Sequence, residues 1–232
     1  VLGPGLNIKR HPAGGRSFEY LSEDPYLSGK LAAAMVRGVQ SQGVGTSVKH
    51  FAVNNQESHR LVVDAVVDER TLRELYLTGF EIAVKESAPW TVMCSYNLVN
   101  GTYASEHRYL LQEVLRDEWG FDGLVMTDWG AANDRVAGVK AGLDLEMPSS
   151  GGAFDADLLA ALDSGELLDA ALDLRHDTAN RVPPFVAHED KGSVLPIEET
   201  VSRYYVRLSV ADRAGVIAKI GKLSDLYGAL GR

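Results

Sequence analysis

Cysteine is almost missing from this chain. Cys94 stands alone among 232 residues, so no intrachain disulfide can form and no multi-cysteine metal site can be built. Long apolar runs are missing too. No stretch approaches the roughly 18 uninterrupted apolar residues of a membrane-crossing helix, so no membrane span is expected. Positive charge is the minority, with Lys+Arg 23 against Asp+Glu 32 and a net charge of -9. That balance argues against a nucleic-acid or anionic-membrane surface, both of which need clustered cations. The opening Val1-Leu2-Gly3-Pro4-Gly5 has neither a basic leader region nor a long apolar core, so no signal peptide is read there. The chain begins without Met, in what reads as the middle of a strand, which suggests a fragment or a processed chain. The single cysteine fits the cytoplasm and does not exclude secretion.

What is present is ordinary for a globular protein: 45% hydrophobic and 24% charged residues, in a length that suits one large domain or one and a half smaller ones. Short apolar, β-branched runs at 1–8, 46–53, 91–99 and 123–127 read as strands, with a weaker one at 142–147. Apolar residues on both faces suit a parallel sheet covered on both sides. Between these runs lie helices. Asp24-Pro25 caps a helix over 26–40 that Gly43 stops, and Asp68 caps a run carrying Leu72, Leu75, Tyr76, Leu77, Phe80 and Val84. Ser105 precedes a helix with Leu110, Leu111, Val114 and Leu115, and further helices are read at 131–141 and 155–174. Strand–helix alternation implies an α/β fold with a parallel sheet, either part of a (β/α)8 TIM-type barrel or a doubly wound sheet.

In such a barrel the reactive side chains project from the C-terminal ends of strands. Three successive strand ends carry polar groups that a purely structural strand avoids: Lys49-His50, Ser95-Tyr96-Asn97 and Thr127-Asp128-Trp129. Any one of them could be a solvated terminus or a satisfied core histidine. Three in register point to a site.

These residues also carry a resemblance. Gly3-Pro4-Gly5-Leu6-Asn7-Ile8 leads to Gly15-Arg16-Ser17-Phe18-Glu19-Tyr20-Leu21-Ser22-Glu23-Asp24-Pro25. Lys49-His50-Phe51, Ser95-Tyr96-Asn97 with Asn100-Gly101, and Trp119-Gly120-Phe121-Asp122-Gly123 before Thr127-Asp128-Trp129-Gly130 then follow. In this order, from residue 1 to about 170, they resemble glycoside hydrolase family 3. The resemblance implies a partial TIM-type barrel and retaining hydrolysis of terminal β-D-glycosidic bonds. Asp128 is the implied nucleophile; Arg16, Lys49 and His50 are implied sugar-hydroxyl ligands. The resemblance matches Tyr96 to a tyrosine near the nucleophile, and Trp129 is a candidate to stack on a sugar face at the entrance, although a tryptophan after a strand is as often a packing residue. The expected ligand is a small-molecule glycoside or oligosaccharide, and no cofactor or metal is expected. Lys49-His50-Phe51 continues as Ala52-Val53-Asn54-Asn55-Gln56-Glu57, without the His-containing loop of the family's N-acetylglucosaminidase branch, which favours the glucosidase or xylosidase branch. There the resemblance places the acid/base in a following α/β sandwich domain, and the leading barrel strands upstream of Val1. Glu57, Glu106 and Glu146 are expected as exposed structural charges, and His59 as a surface residue.

A different character sets in after about residue 175. Arg181-Val182-Pro183-Pro184-Phe185 reads as a stiff linker, followed by an alternating strand at 202–210, the turn Asp212-Arg213-Ala214-Gly215 and a helix over 216–227. The segment from Leu195 resembles the start of the ACT regulatory domain of homoserine dehydrogenase. The expected division is therefore a glycosidase barrel at 1–175, a linker at 176–200 and a partial ACT-like β-α segment at 201–232. An amino-acid-binding regulatory module is the alternative function.

Overall fold

The computed structural model describes residues 1–167. Among them, the strands are β1 Ser47–Phe51, β2 Asp64–Ala65, β3 Thr91–Cys94, β4 Leu98–Val99, β5 Thr102–Tyr103 and β6 Leu124–Met126. The central sheet is parallel, in the order β1-β3-β6. The expected strands at 1–8 and 142–147 run parallel along its two edges, but through single bridges, Gly5 with Lys49 and Met126 with Leu145. Each interruption has a local cause. Pro4 has no N–H to donate, which breaks the first ladder. At the other edge the Asp144 carboxylate takes the Val125 N–H, at 2.8 Å. Five segments thus lie side by side in parallel, and the α/β expectation holds.

The run 91–99 is not one strand. Ser95 Oγ donates to Ala52 O (2.8 Å) and Asn97 Nδ2 to the same oxygen (3.2 Å), so the chain leaves the ladder after Cys94. It resumes as β4 in a small second sheet, β2-β4-β5, where Asn100-Gly101 turns the β4–β5 hairpin with both residues at positive φ. This departure sets Tyr96 between the two sheets' strands and buries it.

Helix α1, Pro25–Gln40, starts where the sequence places it: the Asp24 side chain accepts from Tyr26 N–H and Leu27 N–H. Its small buried residues Ser28, Gly29, Ala32 and Ala33 let it approach α3, Thr78–Ser87. A Cβ on Gly29 would sit 2.9 Å from the Gly79 carbonyl oxygen, a backbone atom that cannot swing away. Gly29→Val is accordingly expected to cost about 1–3 kcal/mol by overpacking, read as a lower urea midpoint with an unchanged m-value.

The Asp68-capped helix is composite: α2 Glu69–Thr71, a π-helical stretch Leu72–Leu77, then α3. The wider turn rotates the apolar stripe, so Leu72 and Leu77 are buried whereas Leu75, expected in the core, is 42% exposed. Ser105 does not cap the next helix, Tyr109–Glu118; its hydroxyl donates to Ala131 O (2.8 Å). The helix expected at 131–141 begins only at α4, Arg135–Ala141, because Asp134 accepts from Ala137 N–H (2.9 Å) and caps it there. The expected 155–174 helix is seen as α5, Asp155–Asp163; the rest of that expectation past 167, the linker and the ACT-like segment fall outside the described residues.

Helices and sheet enclose one principal core. Phe51, fully buried at the end of β1, meets Phe80 edge-to-face with ring centres 5.2 Å apart, and Trp119 at 5.9 Å. This packing anchors the strand immediately after the two polar residues that matter most, Lys49 and His50.

Candidate active site

Asp128 lies two residues past the end of β6, after Thr127, and is buried, with 8% of its surface exposed. Its Oδ1 accepts from the Trp129 N–H (2.8 Å), and its Oδ2 faces His50 Nε2 at 3.4 Å. That second distance is long for a hydrogen bond. His50 is itself almost fully buried. Asn7 holds its backbone from both sides, donating Nδ2 to His50 O and accepting His50 N–H on Oδ1, each at 2.9 Å. The amide side chain of Asn7 thereby acts as a strand partner at that point. On the other side of the ring, Tyr20 OH lies 3.1 Å from Nδ1.

In a regular strand Lys49 and His50 point to opposite faces. Here the β1–β3 register slips between Lys49 and Phe51, as at a bulge, and both side chains reach the same cluster. Lys49 Nζ pairs with Glu19 Oε2 (3.2 Å), and Glu19 also binds Arg16. Tyr96 OH donates to Trp129 O (2.9 Å), and the Arg60 guanidinium lies over the Tyr96 ring at 4.7 Å while pairing with Glu57 (2.6 Å). Burial first, then the Asp128 charge, raises the Tyr96 phenol above its ordinary pKa, so the hydroxyl keeps its proton as a donor. A small concavity bordered by Arg16, Tyr20, Asn54 and Glu57, among others, opens beside this cluster.

His50 faces a carboxylate yet is uncharged. Burial, reinforced by the Arg16, Lys49 and Arg60 cations, pushes its pKa down to about 2. The contact with Asp128 is therefore one between a neutral imidazole and a carboxylate, not an ion pair. The unfolded state takes up a proton near pH 6.5 and the folded state does not, so this group's stability is full above pH about 6.5 and is lost on acidification. Between pH about 7 and about 5 the melting temperature of the wild-type protein is expected to fall further than that of His50→Gln. Equal shifts would contradict a buried neutral His50.

Of the six sequence-predicted residues, Arg16, Lys49, His50, Tyr96 and Asp128 converge. Trp129 contributes its backbone N–H and carbonyl, while its residue surface stays 45% exposed. Sequence reasoning passed over Asn7, Glu19, Tyr20 and Arg60. Glu19, three residues from Arg16 with opposite charge, offered a signal; Tyr20 and Arg60 offered none. His59 is exposed as expected. Glu57, Glu106 and Glu146 were expected to be exposed but are half-buried, each drawn in by a partner: Arg60 for Glu57, the Asp134 N–H (2.7 Å) for Glu106, and Arg135 (3.6 Å) for Glu146. Among the described residues no group of three or more His, Cys, Asp or Glu side chains is arranged to hold a metal ion.

A buried carboxylate at a strand end, ringed by fixed donors and cations, is suited to attack on an electrophilic carbon flanked by hydroxyl groups. Residues 1–182 match the family described as Glycosyl hydrolase family 3 N terminal domain. The chain belongs to glycosyl hydrolase family 3. It is 58% identical over 212 residues to thermostable beta-glucosidase B of Acetivibrio thermocellus, a match covering 91% of this chain and 28% of that protein. It is equally 58% identical over 173 residues to an exo-alpha-(1->6)-L-arabinopyranosidase of Bifidobacterium longum, covering 75% of this chain and 23% of the relative. Beta-glucosidase 3B of Thermotoga neapolitana, solved in complex with alpha-D-glucose, superposes with a TM-score of 0.68 at 52% identity, over 71% of this chain and 24% of that one. The GH3 beta-glucosidase of Bifidobacterium adolescentis gives 0.70 at 50% identity, over 87% and 30%. The chain thus spans about a quarter of the length of these relatives. A match covering 91% of the chain also has to reach past residue 200, into the segment expected to be ACT-like.

Proposed function

We propose that this chain carries the nucleophile and the first sugar subsite of a retaining β-glucosidase-type hydrolase, on five parallel segments of a (β/α)8 barrel. The observation that carries the reading is the Asp128 carboxylate, buried at the end of β6 with Trp129 N–H on one oxygen and His50 beside the other. Both oxygens are oriented before substrate arrives, so little reorganisation is left to the reaction.

In the first step an Asp128 oxygen attacks the anomeric carbon as the bond to the leaving-group oxygen breaks, giving a glycosyl ester. In the second, water cleaves that ester and returns the carboxylate. Arg16 and Lys49, held by their shared partner Glu19, supply charged donors to sugar hydroxyls; the one N–H of neutral His50, on the nitrogen 3.4 Å from Asp128, is shared between that carboxylate and a sugar hydroxyl and does not change with pH in the physiological range. Tyr96 borders the carboxylate, and exposed Trp129 offers a stacking face. No acid/base is assigned among the described residues. The relatives' names favour β-D-glucosides, with α-L-arabinopyranosides as the comparison substrate.

The stereochemistry of the first product tests this reading. Hydrolysis of 2,4-dinitrophenyl β-glucoside, whose leaving group departs without protonation, should release β-glucose first, as seen by proton NMR before mutarotation. α-Glucose as the first product would contradict a double displacement. The alternative, an amino-acid-binding module at 201–232, has only its sequence resemblance behind it. Titration calorimetry showing threonine binding and no glucose binding would favour it.

A further inference from the structure

We propose that Tyr20 is a positioning residue that fixes the tautomer of His50, placing the imidazole N–H on Nε2, where it faces Asp128. An ionised carboxylate only accepts, and a neutral imidazole carries one N–H and one lone pair. With Nε2 3.4 Å from Asp128 Oδ2, the alternative tautomer would aim a lone pair at a negative charge. Nδ1 must then accept, and Tyr20 OH, 3.1 Å away, is the donor that meets it. Burial raises the Tyr20 phenol well above its ordinary pKa, so that donor is not lost near neutrality.

The fold builds this contact deliberately. Gly5 pairs with both Tyr20 and Lys49, and a Cβ on Gly5 would lie 2.7 Å from Tyr20 Cδ1, so glycine there makes room for the ring. The two rings stand edge-on with centres 6.1 Å apart. Asn7 fixes the His50 backbone, and Tyr20 fixes its protonation pattern. The orientation of Asp128 Oδ2 then depends on a residue whose hydroxyl meets His50 and not the carboxylate. The consequence for turnover rests on Asp128 being the nucleophile; the tautomer itself does not.

Two-bond proton–nitrogen NMR on uniformly labelled protein reads the state of each ring, and His50→Gln assigns the signal among the six histidines. The wild-type protein at pH about 7 should show His50 with a pyrrole-type Nε2 and a pyridine-type Nδ1. In Tyr20→Phe, which keeps the ring and removes the donor, the two nitrogen shifts should move towards each other as the tautomers mix. An Nδ1–H tautomer or an imidazolium in the wild-type protein overturns the proposal without any variant. So does a pattern unchanged in Tyr20→Phe. A parallel rate of glycosyl-ester formation should fall about tenfold in Tyr20→Phe, with sugar affinity within about twofold. If wild-type protein forms no ester while the tautomer pattern is as expected, the nucleophile reading fails and the tautomer inference stands.

Discussion

Asp128→Ala is expected to lower hydrolysis of 2,4-dinitrophenyl β-glucoside by about 10⁴-fold or more, the scale on which removing a covalent nucleophile acts. The variant should still fold, because the Asp128 side chain is tied to the protein chiefly through the local Trp129 N–H and the long His50 contact. Its pocket should also keep binding glucose through Arg16 and Lys49. The deleted carboxylate leaves space on the α face of the sugar. Added azide should therefore attack the anomeric carbon from that face as dinitrophenolate leaves, giving α-glucosyl azide and restoring part of the rate. β-Glucosyl azide would mean that the deleted group serves the opposite face, as an acid/base does. Equal rates in the wild-type protein and Asp128→Ala would remove Asp128 from the mechanism altogether.

The second large effect lies behind the sheet. Arg116 and Asp144 are both buried and meet at 2.5 Å. The same Asp144 oxygen holds Val125 N–H at 2.8 Å, and Arg116 donates to Gly123 O (3.1 Å) and Gly142 O (3.2 Å). The pair therefore ties β6, the strand that delivers Asp128, to the edge segment after α4. Asp144→Ala takes the carboxylate partner from a buried guanidinium and the acceptor from the Val125 N–H. Breaking a buried pair from one side costs about 3–5 kcal/mol, and that loss should appear in the urea unfolding free energy. Glu81→Ala, which breaks the half-exposed Lys85–Glu81 pair on α3, should cost no more than about 1 kcal/mol. Similar losses in the two variants would mean that the buried pair does not brace β6.

How much of this was legible in the sequence depended on periodicity. The strands β1 and β6 and helix α1 were readable because β-branched runs and the Asp24-Pro25 start announce themselves locally. Asp128 stands out in the sequence only in company: one acidic strand end could be a solvated terminus, whereas three polar strand ends in register, within motifs that resemble the family, single it out. The π-helical stretch Leu72–Leu77 was not: a 3.6-residue period puts Leu75 in the core, and the wider turn rotates it out. Ser105 precedes the helix Tyr109–Glu118 in sequence, and that its hydroxyl donates to the Ala131 carbonyl across the fold was not legible there. Glu19 and Tyr20 sit in irregular chain between the first edge segment and α1, where no period exists, and meet Lys49 and His50 only through tertiary packing. Arg60 was hidden likewise, since its place over Tyr96 depends on the chain leaving β3 after Cys94. Strand ends point to Lys49, His50, Tyr96, Asp128 and Trp129; Arg16, in the same irregular stretch as Glu19 and Tyr20, is reached only through the family resemblance, and the partners that arrive by packing show only in the folded chain.

The most direct test of the central claim is covalent trapping. 2,4-Dinitrophenyl 2-deoxy-2-fluoro-β-glucoside has a leaving group that needs no proton, while its fluorine slows hydrolysis of the ester that forms. Incubated with this chain under conditions where it melts cooperatively, the reagent should add one fluoroglucosyl unit per molecule, and peptide mass spectrometry should find that unit on Asp128. A label on any other carboxylate, or no label on the folded chain, would contradict Asp128 as the nucleophile.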